Sequence, residues 1–172
     1  MKSRVFVNKV EIEHLNWLSV CTGVPISYKG GVDLANEAIG IELKSRLLKP
    51  RSIEPYPNFA VHEYQFKLFP EEKPDRELFW AFMLYNLDIP ISSIRGDSDL
   101  KKYIVDRRVW FFDWGYVSQF PVSNVKTGPY IYVHGRSFAS EKFNSFEVEG
   151  GLLYFPVGSS LEEKLSFLTK NN

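Results

Sequence analysis

The architecture of this chain turns on residues 29–45, which read Lys29-Gly30-Gly31-Val32-Asp33-Leu34-Ala35-Asn36-Glu37-Ala38-Ile39-Gly40-Ile41-Glu42-Leu43-Lys44-Ser45. Two glycines punctuate the chain, a short apolar piece follows, Ala35-Asn36-Glu37-Ala38 suits a turn, and an apolar run returns over 39–45. The pattern predicts a β-hairpin with its turn centred on Asn36 and Glu37. Successive side chains of a strand point to opposite sides, so Ile41 and Leu43 enter a core while Glu42 and Lys44 share the other face. With that turn, Asp33 faces Gly40 and is the diagonal neighbour of Glu42, roughly 7 to 8 Å away between backbones. Gly40 is expected to leave room there for a metal, a water or a phosphate.

Outward from the hairpin the periodicity changes. Residues 9–22 carry Ile12, Leu15, Leu18 and Cys21 at steps of three, which predicts a partly buried helix ending before Gly23 and Pro25. Residues 47–58 hold Pro50, Pro55 and Pro57 and predict a long connection. Residues 59–69 alternate and predict a strand, with Val61, Glu63, Gln65 and Lys67 on one face and Ala60, His62, Tyr64, Phe66 and Leu68 on the other. Further strands are expected over 78–87, 109–114, 130–133 and 152–155, with a short helix over 100–105. A last helix should start at a Ser159 or Ser160 cap, with Glu162 and Glu163 in its first turn. The sum is an α+β (α/β) fold with a central mixed β-sheet flanked by helices.

Composition sets the outer limits. At 172 residues, with 44% hydrophobic and 24% charged residues, the chain reads as a single globular domain over 1–172. A single cysteine, Cys21, excludes an internal disulfide and a thiolate zinc site, and favours a cytoplasmic setting. No apolar run reaches the roughly 18 to 20 residues a membrane span needs, so no membrane partner is expected. The formal net charge of zero does not advertise a polyanion ligand. Local distribution therefore matters, and Lys44, Arg46, Lys49 and Arg51 form one basic cluster.

The hairpin residues have the chemistry for phosphodiester hydrolysis. That reaction needs charge neutralisation on the phosphorane oxygens and a hydroxide-like nucleophile, and a carboxylate-held Mg²⁺ supplies both. Mg²⁺ takes oxygen ligands and keeps several waters, so Asp33, Glu42 and the Leu43 carbonyl suffice as a metal set. Lys44 would touch the attacking water or the scissile phosphate, and its ammonium offsets the repulsion between the two carboxylates. Glu-x-Lys alone carries little, because it recurs at Glu71/Lys73 and Glu162/Lys164. Only the Glu42 copy lies in an apolar strand with an acidic residue on the strand before it.

Asp33 followed by Glu42-Leu43-Lys44 resembles the PD-(D/E)XK motif of the restriction-endonuclease-like superfamily. Gly31-Val32-Asp33 with Glu42-Leu43-Lys44-Ser45 is similar to the active-site hairpin of PvuII-type type II restriction enzymes, and Ile41 to Arg46 to that of archaeal Holliday-junction resolvases. Val32 stands where the motif's name expects proline. The resemblance implies a restriction-endonuclease-like core and Mg²⁺-dependent, site-specific cleavage of double-stranded DNA. It assigns Asp33 and Glu42 as metal ligands and Lys44 as the catalytic lysine. It also allows an extra acidic residue from an early helix, here Glu11 or Glu13. Two copies addressing both strands of a symmetric site imply a homodimer.

Candidate DNA contacts are Arg46, Lys49, Arg51, His62, Gln65, Lys67, Lys126, Tyr130, His134 and Arg136, chosen as basic, amide or aromatic groups near the hairpin or in one later segment. Two other readings stand beside the restriction-type nuclease. One is a junction-resolving or repair nuclease. The other is a non-catalytic β-rich binding domain in which Asp33, Glu42 and Lys44 are the wet face of an ordinary hairpin.

Overall fold

A computed structural model describes residues 4–27, 31–48, 57–95, 99–140 and 142–165. The fold is α+β. A mixed sheet of six strands runs in the order β1 (Leu34–Ala35), β2 (Ile39–Leu47), β4 (Glu77–Leu87), β5 (Ile104–Asp113), β9 (Gly151–Pro156) and β8 (Phe143–Val148). A second sheet has three strands, in the order β3 (Asn58–His62), β7 (Gly128–His134) and β6 (Val122–Val125). Helix α1 spans Arg4–Thr22, α2 Glu63–Glu72 and α3 Ser160–Lys164. None of the described helices is long and apolar enough to cross a membrane.

β4 explains the layering. Its alternation sends Phe79, Ala81 and Met83 to one side and Trp80, Phe82 and Leu84 to the other, and all six are buried. The first set packs with Leu18 and Cys21 of α1 and Leu161 of α3. The second packs with Phe59 and Val61 of β3 and Ile131 and Val133 of β7. Helices α1 and α3 thus cover one face of the large sheet, and the small sheet with α2 covers the other. Burying each large apolar side chain stabilises the fold by about 1.5 to 3 kcal/mol, and a strand apolar on both faces collects that on both sides.

Several expectations need correction. The strand expected over 59–69 is a five-residue strand that stops at His62 and then becomes α2. The run His62, Tyr64, Phe66 and Leu68 has a period of two by coincidence, while Gln65 and Phe66 are the residues that face inward from a helix. The helix expected over 100–105 is one 3-10 turn, Leu100–Lys102, after which β5 begins at Ile104. In α1 the buried line is Val10, His14, Leu18 and Cys21, and Ile12 is 54% exposed. Strands β6 and β8 lie outside the expected elements: β6 is largely exposed, and β8 has only three half-buried apolar residues, Phe143, Phe146 and Val148, in an otherwise polar stretch.

The hairpin turn also lies one residue later than expected. β1 pairs with β2 through Leu34↔Ile41 and Ala35↔Gly40. Asn36 Oδ1 accepts from the Ala38 and Ile39 amides at 2.9 and 2.8 Å, which fixes the turn at Glu37 and Ala38. Continued by one residue, that register sets Asp33 directly opposite Glu42 and not diagonal to it.

Candidate active site

The parallel pairing of β2 with β4 aligns Glu42 with Trp80 and Lys44 with Phe82, so both polar groups project to the face of the small sheet and α2. Ile41 and Leu43 project to the other face, as the alternation requires. Asp33 precedes β1 and reaches across to β2, where its Oδ2 accepts from the Leu43 amide at 2.8 Å. The N–H and C=O of one strand residue leave on the same edge, so the Leu43 carbonyl faces the Asp33 side as well.

Glu42 is 3% exposed, and its two carboxylate oxygens differ in kind. Oε1 accepts from Lys44 Nζ at 2.7 Å and from Gln65 Nε2 at 2.8 Å. Oε2 is buried and has no hydrogen-bond partner, and neither has Gln65 Oε1. A carboxylate oxygen stripped of water and left unpaired is costly, which makes it an acceptor for a cation or a proton.

The electrostatics agree. Burial pushes the Glu42 carboxyl up from its ordinary range, Lys44 pulls it down, and the Asp33 charge pushes it further up. Burial likewise raises Asp33, against the lowering effects of the Leu43 amide, of Lys44 and of a hydrogen bond with the Glu42 carboxyl, while the Asp33 amide lowers Glu42 in turn. Two neighbouring carboxyls thus share a desolvated spot with one ammonium, so that holding both negative charges at once is costly without a further cation or a shared proton. Glu11 belongs to the same field. It stands on the exposed side of α1, yet surrounding protein and the charge of Asp33 raise its carboxyl. Glu13 instead neighbours Arg107.

Gln65 is the residue whose position sequence reasoning misjudged most usefully. Expected on a strand face turned to DNA, it is a buried helical side chain bonded to Glu42. Its helix is held by an unusual bond. Pro70 lies inside α2 and has no N–H for the Phe66 carbonyl four residues before it. The indole Nε1 of Trp114 takes that place, donating to the Phe66 carbonyl at 3.0 Å. Trp114 in turn stacks on Trp80 of β4 with ring centroids 4.0 Å apart, and its own carbonyl accepts from Trp80 Nε1 at 2.9 Å.

The remaining candidates scatter. His62 lies beside Lys44, whose charge adds to burial in lowering its pKa, and its ring is 4.3 Å from that of Tyr130. His134 bonds Asn58 Oδ1 through Nδ1 at 2.9 Å. Lys67 is corrected: it is exposed on α2 and paired with Glu63, one turn earlier, so it shares no strand face with Gln65. Arg46 continues β2, exposed, near Tyr85. Lys126 is exposed in the turn between β6 and β7, and Arg136 is exposed just after β7. Lys49 and Arg51 lie outside the described residues.

Gly40 is also corrected. A Cβ there would meet Leu78 Cδ2 at 2.6 Å, Arg76 Cδ at 2.9 Å and Val32 Cγ2 at 2.9 Å. The glycine makes room for these protein side chains and not for a ligand.

Among the described residues no group of three or more His, Cys, Asp or Glu side chains gathers as a metal cluster. A cation here would therefore rest on the carboxylates of Asp33 and Glu42, with a backbone carbonyl and water completing an oxygen shell. The unpaired Glu42 Oε2 and the cost of charging both carboxyls fit that donor set.

Comparison with known proteins returns nothing that matches: no family model, no curated protein and no solved structure.

Proposed function

We propose that the chain is a Mg²⁺-dependent DNA endonuclease of the restriction-endonuclease-like kind, with Asp33 and Glu42 as metal ligands and Lys44 as the catalytic lysine. One observation carries the reading. The buried carboxyls of Glu42 and Asp33 meet, with one Glu42 oxygen held by Lys44 and Gln65 and the other without a hydrogen bond of good geometry. The motif resemblance supports it. So does the crossover from β2 through β3 and α2 to a parallel neighbour, β4.

Each residue has a separate task. Gln65 and Lys44 together hold Oε1, so the Glu42 carboxylate cannot rotate and Oε2 stays aimed at the Asp33 side. Asp33 is anchored by the Leu43 amide, and its carboxyl meets that of Glu42, so a cation bound there would be shared by both. Mg²⁺, when bound, polarises the phosphoryl oxygen and acidifies a water. Lys44, bonded to Glu42, contacts the scissile phosphate or the attacking water in this reading and stabilises the charge that develops there.

The test is direct. Duplex plasmid incubated with Mg²⁺ should be cut, and Asp33→Ala or Lys44→Ala should abolish the cutting. Discrete fragments select the site-specific, restriction-type form, which also requires a dimer by sedimentation. Nicks, or a preference for branched DNA, select the repair or junction form. No cutting, together with no Mg²⁺- or Mn²⁺-dependent thermal shift, leaves the non-catalytic binding domain.

A further inference from the structure

The small sheet has an inward face and an outward face. Phe59 and Val61 of β3 and Ile131 and Val133 of β7 are buried. The alternate positions point outward and pair as Asn58↔His134, Ala60↔Tyr132 and His62↔Tyr130. The rings form a continuous fan. Tyr64, in the first turn of α2, has its centroid 5.1 Å from that of His62; His62 lies 4.3 Å from Tyr130, and Tyr130 6.1 Å from Tyr132. The planes of neighbours are inclined by 36°, 40° and 29°. Tyr64 is 53% exposed, and core packing does not account for it.

Two further facts say what this fan suits. Strands β3, β6 and β7 contain no aspartate or glutamate, in a chain with 21 acidic residues, so the sheet offers little repulsion to a phosphodiester backbone. One end of the fan also abuts the candidate active site. His62 feels the Lys44 charge, and Gln65, three residues on, bonds Glu42.

We propose that this outward face stacks the unpaired bases of the DNA strand cut at Asp33, Glu42 and Lys44, so that the preferred substrate carries single-stranded nucleotides beside a duplex, as in a fork, flap or branch. The inference rests on the nuclease reading. A duplex hides the flat faces of its bases, whereas an unpaired base presents one to each aromatic ring, with little dependence on sequence. Tyr64, Tyr130 and Tyr132 are the stacking residues, and His62 joins them to the catalytic hairpin.

The experiment separates binding from cutting. Fluorescence anisotropy with Ca²⁺ in place of Mg²⁺ compares a blunt duplex with the same duplex carrying a single-stranded arm. The arm holds 2-aminopurine, whose emission is quenched when it stacks. The full-length protein should bind the armed duplex more tightly and quench the probe. Tyr130→Ala and Tyr132→Ala should each weaken armed binding by about five- to a hundredfold, a loss several times larger than any on the blunt duplex. Tyr130→Phe should keep the quenching, which separates ring stacking from loss of fold. Equal affinity for both DNAs, or equal loss on both in the alanine variants, overturns the proposal. Cutting with Mg²⁺ is read in parallel. Cleavage without preference for the arm sinks the stacking face alone, and arm binding with quenching but no cleavage by the unaltered protein sinks the nuclease reading alone.

Discussion

Gln65 donates to Glu42 Oε1 across 2.8 Å, although 23 residues separate them in the chain. α2 therefore sets the orientation of a carboxylate that belongs to β2. Gln65→Ala should free the Glu42 carboxylate to turn. The Mn²⁺-dependent rise in melting temperature should weaken, with metal affinity falling about 10- to 100-fold, the usual cost of losing a group that orients a ligand. A metal titration of the variant by calorimetry checks this.

Trp114 should act on the same carboxylate from further away. Trp114→Phe keeps a ring on Trp80 but leaves the Phe66 carbonyl without the donor that Pro70 cannot supply. A loss of about 1 to 3 kcal/mol in urea unfolding is expected. Metal affinity should drop with it, in the direction of the Gln65→Ala effect.

Asp33 and Glu42 crowd negative charge into a desolvated spot. Asp33→Asn, close to the same shape without the charge, should raise the melting temperature of the metal-free protein while abolishing cleavage. The metal-dependent shift should vanish as well. A variant less stable than the parent without metal would contradict this account of the site.

Gly40 yields a prediction that separates two explanations. Gly40→Ala presses a methyl group into Leu78, Arg76 and Val32, so stability should fall by about 1 to 3 kcal/mol. If the position served ligand entry instead, metal affinity would fall at unchanged stability. Urea unfolding beside a metal titration distinguishes them.

His14 supplies the pH dependence. It is fully buried, its Nδ1 accepts from Arg107 Nε at 3.2 Å, and the Tyr85 ring stands edge-on at 4.3 Å. Burial, and then the Arg107 charge, lower its pKa to about 3. Cys21 and Glu13 are the other titratable groups beside Arg107. The folded protein thus keeps His14 neutral where the unfolded chain takes up a proton near pH 6.5. Its contribution is complete above about pH 6.5 and is lost as pH falls toward 3, a loss on the order of a few kcal/mol. His14→Gln retains an acceptor for Arg107 and should flatten the fall in melting temperature between about pH 6.5 and 4.

What the sequence disclosed follows from the range of the interactions. β2 was legible because Ile39, Ile41 and Leu43 alternate with Glu42 and Lys44 within seven residues. β4 was legible as a dense apolar run. α2 was not, because its first residues continue the period of the strand before it, and what holds it is Trp114, 48 residues on from Phe66. The triad's residue types could be read from the hairpin, but the Asp33 register hung on which side-chain oxygen closed the turn. Gln65 carried a signal only as a polar residue in an apolar stretch, and its partner lies on another element. β3 and β7 were legible as strands, within 59–69 and at 130–133, but their pairing, which joins residues as distant as Asn58 and His134, had no local trace.

The two arms of the hairpin are anchored unequally. Glu42 and Lys44 stand in a nine-residue strand paired along its length to β4, while Asp33 hangs from a two-residue strand at the sheet's margin, steadied by the isolated bridge from Ile26 to Leu34. The site is a vice with one fixed jaw and one hinged jaw. Tightening onto a cation costs the movement of a few marginal residues and leaves the aromatic interior at rest, and slow amide exchange along β2 beside fast exchange around Asp33 is the mark of such a clamp.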